Sequence, residues 1–192
     1  MYDSASDPYC YPGTTVLINL ANIREQKALD EFETAMVGER TNEALPHGHL
    51  SVAHYRAVHR HLFRDVYGWA GKFRTVRLAK GGSAFCYPEH ISREMRGLFA
   101  TTRAFRNPSR LSRSEFVSLA SSFLSTLNAI HPFREGNGRT QLAFAAILAT
   151  SAGHPLQLPK LRPKRFLAAM IASFGGDEHP LAKELAILVR RR

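Results

Sequence analysis

The run Gln141-Leu142-Ala143-Phe144-Ala145-Ala146-Ile147-Leu148-Ala149-Thr150 is apolar on every side. A helix with one apolar stripe can lie on a surface, but a helix that is apolar all round has to sit at the centre of a fold. Such a segment demands a shell of other elements with matching faces, and the chain supplies helices. Ser112 and Glu115 form a capping box ahead of Phe116, Leu119, Ala120, Phe123, Leu124 and Leu127, an i, i+3, i+4 series. Asn22 with Glu25 has the same signature and predicts a helix to about Arg40, with Ile23, Leu29, Phe32 and Met36 as its stripe. From Ser51 a helix carries Tyr55, Val58, Leu62, Phe63 and Val66; after Pro88 another carries Ile91, Met95, Leu98 and Phe99 to about Arg103. Two more are expected near Pro163 to Phe174 and Pro180 to Arg190, each opened by a proline at a tolerated position.

One segment breaks the pattern. Lys72-Phe73-Arg74-Thr75-Val76-Arg77-Leu78-Ala79 alternates in part, Lys80-Gly81-Gly82-Ser83 is a turn, and Ala84-Phe85-Cys86-Tyr87 can return. A β-hairpin over 72–87 is the expectation. Residues 1–21, with Pro8, Pro12 and Gly13, read as an irregular arm ending in an extended piece. The expected fold class is all-α: a single domain over 1–192, a helical bundle around a central buried helix, with a small hairpin inserted.

Composition narrows the function. With 44% apolar and 22% charged residues the chain is of the soluble globular kind, and no apolar run reaches the length of a membrane span. The start Met1-Tyr2-Asp3-Ser4 lacks a secretory pattern, and the two cysteines make neither a disulfide framework nor a metal cluster, so a cytoplasmic protein is expected. A net charge of +10 favours anionic partners. The basic residues are widely spread and carry no zinc-finger, RNA-recognition or helix-turn-helix signature, so nucleic acid is not the expected partner.

The stretch His131-Pro132-Phe133-Arg134-Glu135-Gly136-Asn137-Gly138-Arg139-Thr140 carries the chemistry. It leads into the buried helix, whose first N–H groups lack partners and make an anion site with the helix dipole. Gly136 and Gly138 permit tight turning and close approach of a phosphate, Asn137 can donate an amide hydrogen bond, and Arg139 offers a fork suited to phosphate oxygens. Glu135 is a hard oxygen ligand suited to Mg²⁺. His131 is the side chain whose ordinary pKa lies near neutrality, so it can take a proton from an incoming hydroxyl. Pro132 and Phe133 are structural in any reading. Each other residue alone has an ordinary structural explanation; a base, an acid, a Gly-x-Gly cradle and an arginine together describe phosphoryl or nucleotidyl transfer.

At these residues the chain resembles the Fic family, whose signature His-Pro-Phe-x-Asp/Glu-Gly-Asn-Gly-Arg matches His131 to Arg139 at every specified position. The resemblance extends to Tyr67-Gly68-Trp69-Ala70-Gly71, to the Lys80-Gly81-Gly82 hairpin, and to Asp7-Pro8-Tyr9 with Tyr11-Pro12-Gly13. It is greatest to short bacterial Fic toxins that work with a separate antitoxin. The resemblance implies a Fic fold with a hairpin flap, and a protein adenylyltransferase that moves AMP from ATP to a hydroxyl side chain of a target protein. It implies that His131 is the general base, that Glu135 holds Mg²⁺, and that Gly136, Asn137, Gly138, Arg139 and Lys80 bind the nucleotide's phosphates. Lys80, Gly81, Gly82 and Phe85 would form the flap that docks the target segment by strand addition. Type II topoisomerase subunits are the candidate targets it suggests.

One position departs from the signature, which continues Arg-x-x-Arg: Leu142 stands where the second arginine belongs. Loss of a charge-assisted contact is worth ~1.5–3 kcal/mol. A weakened enzyme, or one with another donor or transferred group (UMP, phosphocholine, phosphate), stays open beside the adenylyltransferase, as does a non-catalytic basic binding protein. Family members that inhibit themselves carry Ser/Thr four residues before a glutamate; no glutamate here has that neighbour, so a separate antitoxin is expected to supply the inhibitory helix.

Overall fold

The computed structural model describes residues 7–80, 83–107 and 111–190. Among them are seven α-helices: α1 Gln26–Thr41, α2 Val52–Phe63, α3 Pro88–Ala100, α4 Arg113–Ile130, α5 Asn137–Ser151, α6 Pro163–Phe174 and α7 His179–Leu188. Two short strands, β1 Ala79–Lys80 and β2 Ser83–Ala84, pair antiparallel with Ala79 opposite Ala84. The expected all-α class holds. No helix among the described residues is long and apolar enough to cross a membrane. The chain groups into two compact units, Met1–Ile91 with Pro132–Thr140, and Ser92–His131 with Gln141–Arg192.

In the first unit α1 packs on α2. Leu29 and Val37 of α1 are buried, as are Tyr55, Val58, Leu62 and Phe63 of α2. Phe133, fully buried, is the plug that brings the motif loop onto this pair: its ring stacks on Tyr55 at 5.5 Å and on His59 at 3.7 Å. Ser51 caps α2 by accepting from the His54 N–H. The start of α1 differs from expectation. Glu25 is itself the cap, its carboxylate accepting from Lys27 N–H at 2.9 Å and Ala28 N–H at 2.6 Å. Asn22 sits at φ 55° in the preceding turn instead. Asparagine tolerates that left-handed backbone, and the Asn19 amide, bonded to Leu17 and Ile23, already organises the turn.

In the second unit α4 packs against α6 and α7, with the expected Ser112–Glu115 capping box at its start. Ser112 hydrogen bonds hold the Glu115 carboxyl below its ordinary range. Phe144 of α5 is fully buried and meets Phe99 of α3 at 5.5 Å and Phe123 of α4 at 6.3 Å. Ala145, Leu148 and Ala149 are buried with it, whereas Leu142, Ala143, Ala146 and Ile147 are half-buried, so α5 is fully covered on one face and only partly on the other, less than its all-round apolar sequence predicts.

The hairpin is shorter than 72–87. Its first leg from Lys72 is irregular up to Ala79, and a side chain, Arg74, bonds carbonyls on both legs. Arg74 as a residue is 2% exposed; its Nη1 donates to the Val76 carbonyl at 2.6 Å and its Nη2 to the Cys86 carbonyl at 2.5 Å. The expectations for Gly81, Gly82 and the Lys80 side chain lie outside the described residues.

Candidate active site

The loop between α4 and α5 begins at a strained point. His131 closes α4 in the left-handed region, φ 48° and ψ 62°, with its N–H donating to the Leu127 carbonyl at 3.0 Å. A non-glycine residue there is uncommon and costs of order 1 kcal/mol. The ring that sequence chemistry marks as a base is thus set by backbone geometry at the first residue of the loop.

Asn137 draws the loop closed. Its Oδ1 accepts from Phe133 N–H at 3.0 Å and its Nδ2 donates to the Phe133 carbonyl at 2.8 Å. The side chain is 2% exposed and braces the turn on Phe133 at both ends of its amide. Gly136 is required twice over. Its φ is +79°, and a Cβ there would lie 2.3 Å from Phe63 Cζ. Gly138 opens the helix with nothing within 4 Å of where its Cβ would stand. The first N–H groups of a helix lack intrahelical partners, which is what an anion site at a helix start uses.

Glu135 is the half-exposed acid of the loop. Its Oε1 accepts from Gly136 N–H at 2.8 Å, while Oε2 carries no hydrogen bond among the described residues. No group of three acidic, His or Cys side chains among the described residues could hold a metal ion. A lone carboxylate with one free oxygen fits Mg²⁺, which is usually bound through one or two carboxylates, waters and substrate phosphates rather than a protein cage. Arg139 lies one turn on, its guanidinium over the Phe63 ring at 4.7 Å and its Nη2 at 3.5 Å from Glu135 Oε1.

Several residues that hold this loop were not singled out in the sequence. His59 of α2 is the foremost. Gly71 N–H donates to its Nδ1 at 2.8 Å, so the proton is on Nε2, which donates to the Glu135 carbonyl at 3.0 Å. Burial between Phe63 and Phe133, and secondarily the charge of Arg139, push the His59 pKa down to about 4, so the ring is neutral. It ties the Tyr67-to-Gly71 tract to the loop. Arg74 N–H donates to the Pro132 carbonyl at 2.9 Å, which joins the hairpin's base to the same loop. Arg134, the variable residue of the motif, pairs with Asp7 at 2.9 Å and latches the N-terminal arm. Glu33 of α1 pairs with Arg139 at 2.6 Å. None of these has a spacing signal; His59 was hidden as one more residue on a buried face, and Asp7 lay inside a tract whose role sequence could not assign.

Phe85, expected in the flap, is half-buried just past β2, its N–H donating to the Leu78 carbonyl at 3.0 Å. Leu142 lies half-buried on α5.

Comparison with known proteins agrees with this geometry. The profile of the Fic/DOC family matches residues 49–149. The probable protein adenylyltransferase y4lH of Sinorhizobium fredii is 55% identical over 98% of both chains. Protein adenylyltransferase VbhT of Bartonella schoenbuchensis is 33% identical over 99% of this chain, which spans 40% of VbhT. Among solved structures, BepC of Bartonella tribocorum with bound AMPPNP superposes with a TM-score of 0.82 at 25% identity, over 96% of this chain and 97% of that one. A Fic domain of Bartonella quintana with bound ADP gives 0.81 at 27% identity, over 96% and 95%. With its signature folded as a glycine turn into a helix start, the family profile matched over residues 49–149 and y4lH matched over 98% of both chains, the chain belongs to the Fic/DOC family.

Proposed function

We propose that the chain is a protein adenylyltransferase that transfers AMP from ATP to a hydroxyl side chain of a protein. The observation that carries the reading is the loop itself. Gly136 turns it, Asn137 closes it, and Glu135 and Arg139 stand one helical turn apart at the open start of α5. The names of the relatives y4lH and VbhT support the reaction, and the nucleotides bound to the two Bartonella structures support the co-substrate.

His131 takes the proton of the target hydroxyl as its oxygen bonds to the α-phosphorus, and the bond from that phosphorus to pyrophosphate breaks. The N–H groups of the first α5 turn and the Arg139 guanidinium take up charge on the phosphate oxygens. Glu135 would hold Mg²⁺ through its free Oε2; the ion, when bound, neutralises phosphate charge. The hairpin is read as the target-docking flap, a separate antitoxin as the inhibitor, type II topoisomerase subunits as candidate targets, and the cytoplasm as the compartment. These last assignments rest on the resemblance alone.

The test uses ATP labelled at the α-phosphate and a bacterial lysate. Wild type is expected to label a protein, and His131→Ala to label it ~10²–10⁴-fold more slowly, the usual contribution of a general base. Equal labelling by both would remove His131 from the chemistry. Leu142 supports one second reading, an altered donor or transferred group, since the signature's second arginine is missing. The intact mass of a modified target decides between them, because each group adds a different mass.

A further inference from the structure

Arg139 faces two carboxylates, and only one belongs to the motif. Glu33, 106 residues earlier on α1, accepts from Nη2 at 2.6 Å, against 3.5 Å for Glu135. The Glu33 side chain is 13% exposed and that of Glu135 46%, so the remote pair is also the better shielded from water. The second Glu33 oxygen accepts from Tyr67 OH at 2.5 Å. Burial, together with the Glu33 hydrogen bond and charge, raises the Tyr67 pKa far above its ordinary range, so the phenol remains a donor throughout the working pH range. Tyr67 is fixed in turn by stacking on Trp69 at 4.4 Å. The Arg139 guanidinium is therefore held at one edge by Glu33 and on one face by the Phe63 ring.

We infer that Glu33, braced by Tyr67, is a positioning residue that orients the Arg139 guanidinium toward the phosphates of the nucleotide; this rests on the adenylyltransferase reading above. An arginine on a free stem gives up rotamer freedom when it grips a ligand, whereas a clamped one gave it up on folding. Glu33 engages Nη2 alone, and Nε and Nη1 have no acceptor among the described residues. A carboxylate that blocked the site would cover the fork with both oxygens; here the second oxygen is committed to Tyr67. The absence of the second signature arginine at Leu142 places more of the charge stabilisation on Arg139, and makes its orientation matter more.

The test compares wild type, Glu33→Ala, Glu33→Gln and Tyr67→Phe. One readout is kcat and KM for ATP in α-label transfer. The other is nitrogen relaxation of the Arg139 Nε–H group in the protein without ligand, assigned with Arg139→Lys. Glu33→Ala is expected to lower kcat roughly tenfold or more with KM for ATP within about threefold, the pattern of a contact that matters in the transition state. Its Nε–H should become mobile. Glu33→Gln keeps the oxygen acceptor and should restore kcat to within about threefold of wild type, with Arg139 ordered again. Tyr67→Phe should fall between them and serves if Glu33→Ala does not fold. Transfer by Glu33→Ala at or above the wild-type rate would overturn the inference in favour of competition for the fork. Slowed transfer with Arg139 still ordered and no rescue by glutamine would reduce Glu33 to a scaffold contact. If wild type transfers no label, the enzymatic reading fails, and the relaxation comparison still decides whether Glu33 holds Arg139.

Discussion

Single residues in the loop carry requirements that can be measured one at a time. Gly136 combines a left-handed backbone with a Cβ position 2.3 Å from the Phe63 ring. Gly136→Ala is therefore expected to destabilise the protein by ~1–3 kcal/mol, from overpacking and backbone strain, read from urea denaturation. An unchanged midpoint would mean that the Phe63 ring gives way freely. His59 makes a pH prediction. Its pKa is about 4 in the fold, against 6.5 ordinarily, so the unfolded chain takes up a proton that the folded one refuses as pH falls through that window. Well above pH 6.5 both states are neutral and the contribution is whole; between pH 7 and pH 5 it should cost roughly 2 kcal/mol, levelling near roughly 3 kcal/mol below pH 4. Urea denaturation at the two pH values checks this, with His59→Gln lacking that part of the slope. The motif residues were legible as chemistry because their types and spacing are specific. Two have partners in the fold that the sequence did not show: Asn137 braces Phe133 with its amide, and Arg139 pairs with a glutamate from another helix. Neither contact has a sequence period.

Elements were read well where one face is apolar. The Ser112–Glu115 box does open α4, and α6 ends where its periodicity ends, at Phe174. Because Ser112 satisfies the Glu115 N–H and receives its carboxylate in return, Ser112→Ala should cost ~1 kcal/mol in thermal or urea stability, with no loss of nucleotide affinity. A fall in affinity would show that the α4 start is coupled to the chemistry. The hairpin was overestimated because alternation at Lys72 to Ala79 mimics a strand, while a buried arginine does the ladder's work by bonding carbonyls on both legs. Side-chain substitution for backbone pairing leaves no periodic trace. The α1 start was misread for a related reason: Asn22 and Glu25 fit a capping box by type, but the turn made by Asn19 moved the cap to Glu25.

At the scale of the whole molecule, the apolar run that opened the reading forms α5, and the motif sits at its start because a buried helix presents unpaired N–H groups there. The all-α class followed from periodicity, which burial imposes directly. The reaction did not: it followed from the resemblance centred on the nine residues His131 to Arg139, now joined by relatives matched over nearly the full chain. What sequence could not convey was how α1, α2 and the N-terminal arm converge on the loop through Glu33, His59 and Asp7, since those contacts span up to 127 residues. The reading as a protein adenylyltransferase is tested most directly by incubating the protein and a lysate with ATP labelled at either the α- or the γ-phosphate. Label that enters protein from the α-position and not from the γ-position, and that His131→Ala slows ~10²–10⁴-fold, is the expected result. Label from the γ-position, or none from either with ATP shown to bind, would contradict the account.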